Sequence, residues 1–387
     1  MEVKEITNKS RHIHPEAERM LWARSAGICE FRGCCRKLYT HHVTGENINL
    51  SEKAHIYAFS QGGKRFSRLI PRLKINDPDN LMMVCKSCHS LIDSSNTNYS
   101  AEDLLEMKAE HEQRIERLVS IKPDLHSEVV IYNANIGNRA IRIADFYAME
   151  AITPEYYPVR NTPINLSPDL HLYDCEEGYW SILEQDLIRR MNVYESEIRD
   201  KHISLFAIAP QPLLFRLGML LNRNYCIDVR QSQGSTEKWR WPETDKTIML
   251  EQKTLDAAYS TDSVAVTVEL TAKLSDEELR GIFGNCEVYR IVASQCSPGC
   301  IKSPADLTAV SKLFRSILND IRTNIGSDVT VHFLPIAPAS VSIELGRQLM
   351  KGDPEIWIYD RNYITKKWNI ALKLNGQEDN VCILKTN

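Results

Sequence analysis

Two short thiol pairs, Cys29-x4-Cys34 and Cys85-x2-Cys88, carry the clearest chemistry in this chain. Of its 11 cysteines, five fall before residue 90 and six are scattered beyond. The N-terminus, Met1-Glu2-Val3-Lys4-Glu5, is charged rather than apolar, and no apolar run reaches membrane-spanning length. Both features point to a cytoplasmic chain with no membrane partner. Thiols stay reduced there, so clustered cysteines imply a metal rather than disulfides. A tetrahedral Zn²⁺ takes four soft ligands, and two knuckles supply two each. Four sulfurs close the shell, which makes this zinc structural. Cys35 adjoins Cys34 and is an alternative fourth ligand.

Between and beside the thiols lie His55 in Glu52-Lys53-Ala54-His55-Ile56, Asn80 in Asp77-Pro78-Asp79-Asn80-Leu81, and His89 directly after Cys88. Hydrolysis at a metal site needs an activated water, a Lewis acid and close positioning. A neutral imidazole can take a proton from water near pH 7. Asp93 follows His89 by one helical turn, so the two can share one metal. From about Ile28 to Val119, these residues resemble the HNH, or ββα-metal, nucleases braced by a four-cysteine, treble-clef zinc. The resemblance implies that His55 is the general base, that Asn80 fixes the loop and the orientation of His55, and that His89 binds a catalytic Mg²⁺ or Mn²⁺. Many members place another metal ligand just before the base. Ala54 stands there, leaving that coordination position to water or to the scissile phosphate. The pair His41-His42 resembles a rival base but lies too far from Asn80, and reads as a solvent-facing strand or loop.

The chain has a formal net charge of -4, which excludes a wholly basic nucleic-acid binder. Any such contact needs a local patch. Gln61-Gly62-Gly63-Lys64-Arg65-Phe66-Ser67-Arg68, followed by Arg72 and Lys74, supplies one. Lys64, Arg65 and Arg68 are the expected phosphate contacts, with little sequence preference.

The elements that position these groups can be read in outline. The 387 residues suggest two or three domains. Ser100 is a good N-cap for a helix carrying Leu104, Leu105, Met107, Ile115 and Leu118, and Pro123 is placed to stop it. Residues 1–120 are read as one domain, 121–134 as a linker and 135–387 as a second domain. Beyond the linker, buried-strand runs such as Ile203–Ile208 alternate with helical stretches, which indicates α/β organisation. An internal repeat is visible there. Ala209-Pro210 precedes Leu217-Gly218 by the spacing that separates Ala337-Pro338 from Leu345-Gly346. Two matched strand–turn–helix units predict a duplicated Rossmann-like half, with both turns facing one crevice.

Residues 135–387 also resemble the SAVED domain, through Ile203–Pro212, Trp239-Arg240-Trp241, Val264–Thr271, Cys300–Leu307, Phe333–Gly346 and Ile358–Arg361. The resemblance implies two fused CARF-like Rossmann halves that bind a cyclic oligonucleotide. Candidate ligand turns are Ala209–Leu213, Ser294–Ser303 and Ala337–Ser340, with Pro210 and Pro338 in them. Trp239 and Trp241 are expected to stack a base, and Arg240 or Lys302 to pair with a phosphate. An HNH nuclease joined to SAVED resembles the effectors of CBASS anti-phage systems. That implies activation by a cyclic dinucleotide, such as a cyclic GMP–AMP isomer. It also implies a homo-oligomer, a dimer or a higher assembly on ligand binding, and double-stranded DNA as substrate. Two other readings are a ligand-regulated DNA-binding protein that no longer cuts and a constitutive restriction-type HNH endonuclease.

Overall fold

The computed structural model describes residues 12–68, 74–94, 98–122, 125–153, 155–169, 172, 178–195, 202–221, 225–244, 247–257 and 262–375. The chain divides into two units, Met1–Lys122 and Pro123–Asn387. Among the described residues no helix is long and apolar enough to cross a membrane.

The first unit holds α1 (Pro15–Ser25), β1 (Ser51–His55), β2 (Leu81–Cys85), α2 (Lys86–Asp93) and α3 (Ala101–Val119). Strands β1 and β2 pair antiparallel, from Ser51 opposite Cys85 to His55 opposite Leu81. Cys85 ends β2 and is also the N-cap of α2, so strand passes into helix without a loop. All five residues of β2 are buried, because the strand is covered on both faces. The helix expected after Ser100 forms, and Ser100 and Asp103 close a reciprocal capping box. Pro123, expected to stop it, lies outside the described residues.

The second unit runs β3 (His126–Asn133), α4 (Asp145–Ala151), β4 (Tyr157–Pro158), β5 (Ile164–Asn165), α5 (Tyr179–Glu195), β6 (His202–Ile208), α6 (Gln211–Leu221) and β7 (Cys226–Arg230). It continues through β8 (Leu250–Leu255), β9 (Ser263–Glu269), α7 (Asp276–Phe283), β10 (Glu287–Ala293), α8 (Pro304–Asn324), β11 (Thr330–Ile336), α9 (Ala339–Arg347), β12 (Ile356–Arg361) and β13 (Trp368–Leu374). Strand β3 corrects the sequence reading, since it occupies most of the segment expected as linker. It lies inside a sheet, parallel to β6 on one side and to the short β4 and β5 on the other.

The two sheets repeat one plan. In the first, the parallel order is β5-β3-β6-β7. In the second it is β10-β9-β11-β12, with β8 and β13 added antiparallel at the edges. A helix follows the third strand of each set, α6 after β6 and α9 after β11. The repeated Leu-Gly pairs explain how the halves join. A Cβ on Gly218 would stand 2.0 Å from the carbonyl oxygen of Ile343, and one on Gly346 would stand 2.0 Å from that of Phe215. Each glycine opposes the residue one turn before its counterpart, which is the signature of a local two-fold relation. Below the crossing, Phe333 packs 5.2 Å from both Phe215 and Phe314, in one core shared by the two sheets.

Gly346→Ala is expected to lower the thermal stability of the full chain by about 1–3 kcal/mol, because the added methyl meets backbone that cannot turn aside. Gly281→Ala, in α7 with open space around it, is the control and should stabilise by about 0.5–1 kcal/mol. Thermal denaturation of both variants checks the pair.

Candidate active site

The thiols meet as the sequence required. The sulfurs of Cys29, Cys34, Cys85 and Cys88 all lie within 4.8 Å of one another. Cys34 and Cys85 are 3.9 Å apart, against about 3.8 Å for two sulfurs bound at 2.3 Å to one tetrahedral zinc. The Cys85 amide donates to Cys29 Sγ at 3.3 Å, an arrangement that suits a thiolate acceptor. Burial pushes the Cys29 thiol up to about 12, so a thiolate there needs a cation beside it. The donor set therefore fits zinc. Cys35 stays outside the cluster, exposed, with its sulfur 3.5 Å from Arg114 Nη1.

Next to this brace, β1, β2 and α2 form the ββα arrangement. His55 is the last residue of β1, and its Nε2 lies 3.0 Å from Asn76 Oδ1. Asn76 Nδ2 donates to the carbonyl of His12 at 3.2 Å, which turns the amide oxygen toward His55. The imidazole must then carry its proton on Nε2, which leaves Nδ1 as the basic nitrogen.

Asn80 is buried, 7% exposed, and closes the long loop between β1 and β2. Its Oδ1 accepts from Tyr57 N at 2.8 Å, and its Nδ2 donates to the carbonyls of Ile75 at 2.8 Å and Tyr57 at 3.2 Å. Its own carbonyl accepts from Ile56 N at 2.9 Å. One side chain thus ties both ends of the loop immediately after His55.

His89 stands on α2 between two carboxylates. Its Nε2 lies 3.5 Å from Asp93 Oδ2, and its Nδ1 lies 3.7 Å from Glu52 Oε2. The expected pairing with Asp93 is present, and the nitrogen–oxygen gap lets both donors reach one divalent ion. Glu52 was not read from the sequence. Strand alternation gives the signal that could have found it: Glu52 shares a strand face with Ala54, two residues on, and its longer side chain reaches His89 from there. It is placed to orient the ring through Nδ1.

Arg65 corrects another expectation. Its side chain, 9% exposed, is not free to meet DNA. Nε donates to the Ile56 carbonyl at 2.8 Å and Nη1 to that of Ile92 at 3.1 Å. Nη2 reaches the His55 carbonyl at 3.1 Å and Asp93 Oδ1 at 3.0 Å. The planar guanidinium fork joins the end of β1 to the end of α2, a task lysine cannot copy. Lys64 donates to the Ser94 carbonyl at 2.8 Å, while Arg68 is exposed. Arg72 lies outside the described residues.

In the second unit, the turns expected to face each other do so. Gln211 Nε2 donates to the Ala337 carbonyl at 2.8 Å, and its amide oxygen accepts from Ser342 Oγ. Gln231 Oε1 accepts from Ser340 Oγ at 2.6 Å. Pro210 and Pro338 are buried at the starts of α6 and α9. Lys302 is exposed beside buried Asp306, which accepts from its backbone N at 2.9 Å. Trp239 is a correction. It is 1% exposed and packs 5.2 Å from Phe206, with its indole N–H donating to the Thr236 carbonyl at 2.7 Å. A ring so enclosed supports the core and has no face to offer a base. Trp241 is half-buried against the main core. Arg240 is turned to the Glu150 carbonyl at 3.1 Å.

Residues 29–96 match the HNH endonuclease family, and residues 187–374 match the family described as the SMODS-associated and fused to various effectors sensor domain, SAVED. The chain joins an HNH endonuclease domain to a SAVED domain. The first of these matches indicates a nuclease domain, a hydrolase acting on nucleic acid. No curated protein matches it. Among solved structures it is similar to the Acinetobacter baumannii Cap4 SAVED/CARF-domain containing receptor with the cyclic trinucleotide 2'3'3'-cAAA, at 12% identity over 72% of this chain and 63% of that one, TM-score 0.44. The same receptor with 3'3'3'-cAAA gives 13% identity over 75% and 65%, TM-score 0.42. The Moraxella osloensis Cap4 receptor gives 12% over 73% and 62%, TM-score 0.37. The match spans less than two thirds of each of those chains.

Two outcomes follow for the HNH–SAVED chain. Cys85→Ser should bind no zinc by atomic absorption, and trypsin should then digest the unit ending at Lys122 while sparing the remainder, because metal binding is folding energy in a site of this kind. Arg65→Gln should lower the melting temperature of the first unit, by about 1–3 kcal/mol of stability, as several buried carbonyls lose their donor. A DNA contact at Arg65 would instead leave melting unchanged.

Proposed function

We propose that the protein is a DNA endonuclease with little sequence preference, switched on when its SAVED domain binds a cyclic oligonucleotide, in bacterial anti-phage defence of the CBASS kind. The observation that carries this reading is the fork of Arg65. It fastens the backbone of His55 and the carboxylate of Asp93 to one rigid support, so base and metal ligands keep a fixed relation.

The geometry supports the following roles. His55, held through Nε2, takes the proton of the attacking water at Nδ1. Asn80 holds the loop that aims it. His89 and Asp93 hold a divalent ion, Mg²⁺ or Mn²⁺, which when bound supplies Lewis acidity to the scissile phosphate. Glu52 keeps the His89 ring turned toward that ion. Ala54 supplies no ligand, so that position would be left to water or to the scissile phosphate. The zinc cluster takes no part in the chemistry and keeps α2 against β2.

In the sensor, the carboxyl ends of β6 and β11 are the proposed ligand site, a usual place for ligands in parallel sheets. The turns at Pro210 and Pro338 line it, with Lys302, Arg240 and Trp241 as further groups to test. The expected activator is a cyclic dinucleotide, and ligand binding is expected to bring copies of the chain together in the cytoplasm. A sequence-tolerant DNase must be silent without its signal, so assembly acts as a population shift toward an aligned nuclease.

A plasmid cleavage screen with Mg²⁺ across cyclic di- and trinucleotides tests the reading. One ligand class should switch on cutting. His55→Ala should reduce it by about 10²–10⁴-fold while ligand binding, followed by calorimetry, is unchanged. Cutting that survives in His55→Ala removes that residue from its role. Cutting at one site without any nucleotide defeats the sensor reading.

A further inference from the structure

With Arg65 committed to the fold and Lys64 to Ser94, the loop between β1 and β2 offers less free charge than its composition promised. The positive charge lies elsewhere on the same unit. A cleft of about 580 Å³ opens between the zinc knuckle and the start of α2. Arg36, Lys37 and Lys86 line it, with His41, His42 and Glu52. The three cations are exposed, and among the described residues none of them has a carboxylate partner. The cleft therefore sets three unpaired cations against one carboxylate, in a chain whose net charge is -4. Glu52 also faces His89 Nδ1 at 3.7 Å, and Lys86 precedes His89 by one turn of α2. The cleft and the metal-binding histidine thus share a wall. His41 and His42, which the catalytic reading left unused, also line the cleft, with ring centroids 5.1 Å apart.

We propose that this cleft is the phosphate track of the nuclease, in which Arg36, Lys37 and Lys86 hold the backbone of the DNA strand that runs on to His89. The proposal rests on the DNA-endonuclease reading above and adds the surface that seats the substrate. Exposed cations without partners are the groups that can displace counterions from a nucleic-acid backbone. The two imidazole faces give sugars and bases a surface to lie against without reading sequence. Because the knuckle backbone and α2 form the walls, the zinc cluster fixes the track and the catalytic helix together.

The test uses the full chain carrying His55→Ala, so that DNA is bound and not cut. Fluorescence anisotropy with a labelled duplex is measured against salt in Mg²⁺, without and with a panel of cyclic di- and trinucleotides. Adding Arg36→Gln, Lys37→Gln and Lys86→Gln together should weaken binding at least about tenfold. It should also flatten the log–log salt dependence by about 0.9 for each phosphate no longer neutralised. Zinc content and melting temperature should match the parent, since the substituted side chains are exposed. A parent that binds duplex while the triple variant binds equally well, with the same salt slope, overturns the track and leaves the nuclease reading standing. A parent that binds no duplex under any of these conditions defeats the DNA reading and the track with it. Inorganic phosphate or ATP is the second arm. Displacement of duplex by either at micromolar concentration would make the cleft a free-nucleotide site and overturn the proposal.

Discussion

Four sulfurs held within 4.8 Å of one another set the geometry of the first unit. One pair comes from a turn near the start of the chain, the other from the junction of β2 and α2. Bringing them together fixes where β2 stops and α2 begins, since Cys85 belongs to both. The buried core around them, built from residues such as Leu21, Leu38, Ile56 and the β2 run, belongs to a unit of only 122 residues. A metal cross-link adds folding energy to that core, because the site does not exist in the unfolded chain. The placement of His89 relative to β1 is a consequence of this brace.

What the thiols do for α2, two polar side chains do for His55. Asn80 spends its amide on both ends of the long loop, and Arg65 spends its guanidinium on three carbonyls and a carboxylate. Each hydrogen bond is worth only about 0.5–1.5 kcal/mol net, but losing one partner strands buried polar groups at a higher cost. Such staples make the loop after His55 rigid without enlarging the core. They also explain why charge alone misleads. In a loop of Gly62, Gly63, Lys64, Arg65 and Arg68, each cation reads as a phosphate contact, yet the fold consumes the one nearest the site.

Short-range spacing in the sequence transmitted well. Thiol pairs, the His89–Asp93 turn and the Ser100 cap depend on residues within a few positions, and all stand where local geometry puts them. Residues whose task depends on distant partners were harder to read. Arg65 acts on carbonyls at Ile56 and Ile92, Glu52 is defined by a ring on another element, and Trp239 is buried only because Phe206 and the α4 region close over it. Strand β3 escaped notice for a different reason. A proline read as a helix stop says nothing about how soon the next strand begins. The strand also opens on polar His126, Ser127 and Glu128, the last buried and paired with Arg160 at 3.0 Å, which leaves only the short apolar run Val129–Tyr132 to announce it.

The SAVED domain shows a two-fold relation kept in the backbone and broken in the side chains. Gly218 and Gly346 are equivalent, and each is required by the other helix's carbonyl, so neither can change alone without loss. The turns above them have diverged. Gln211 crosses to the second half, whereas its counterpart is Ala339, which has no polar group to return the bond. Gln231 reaches Ser340, whose counterpart is Pro212. The backbone of the two turns is thus duplicated, but the polar side chains that join them are not. A ligand lying across the dyad would meet unlike side chains at its two ends, Gln211 and Gln231 on one side and Ala339 and Ser340 on the other.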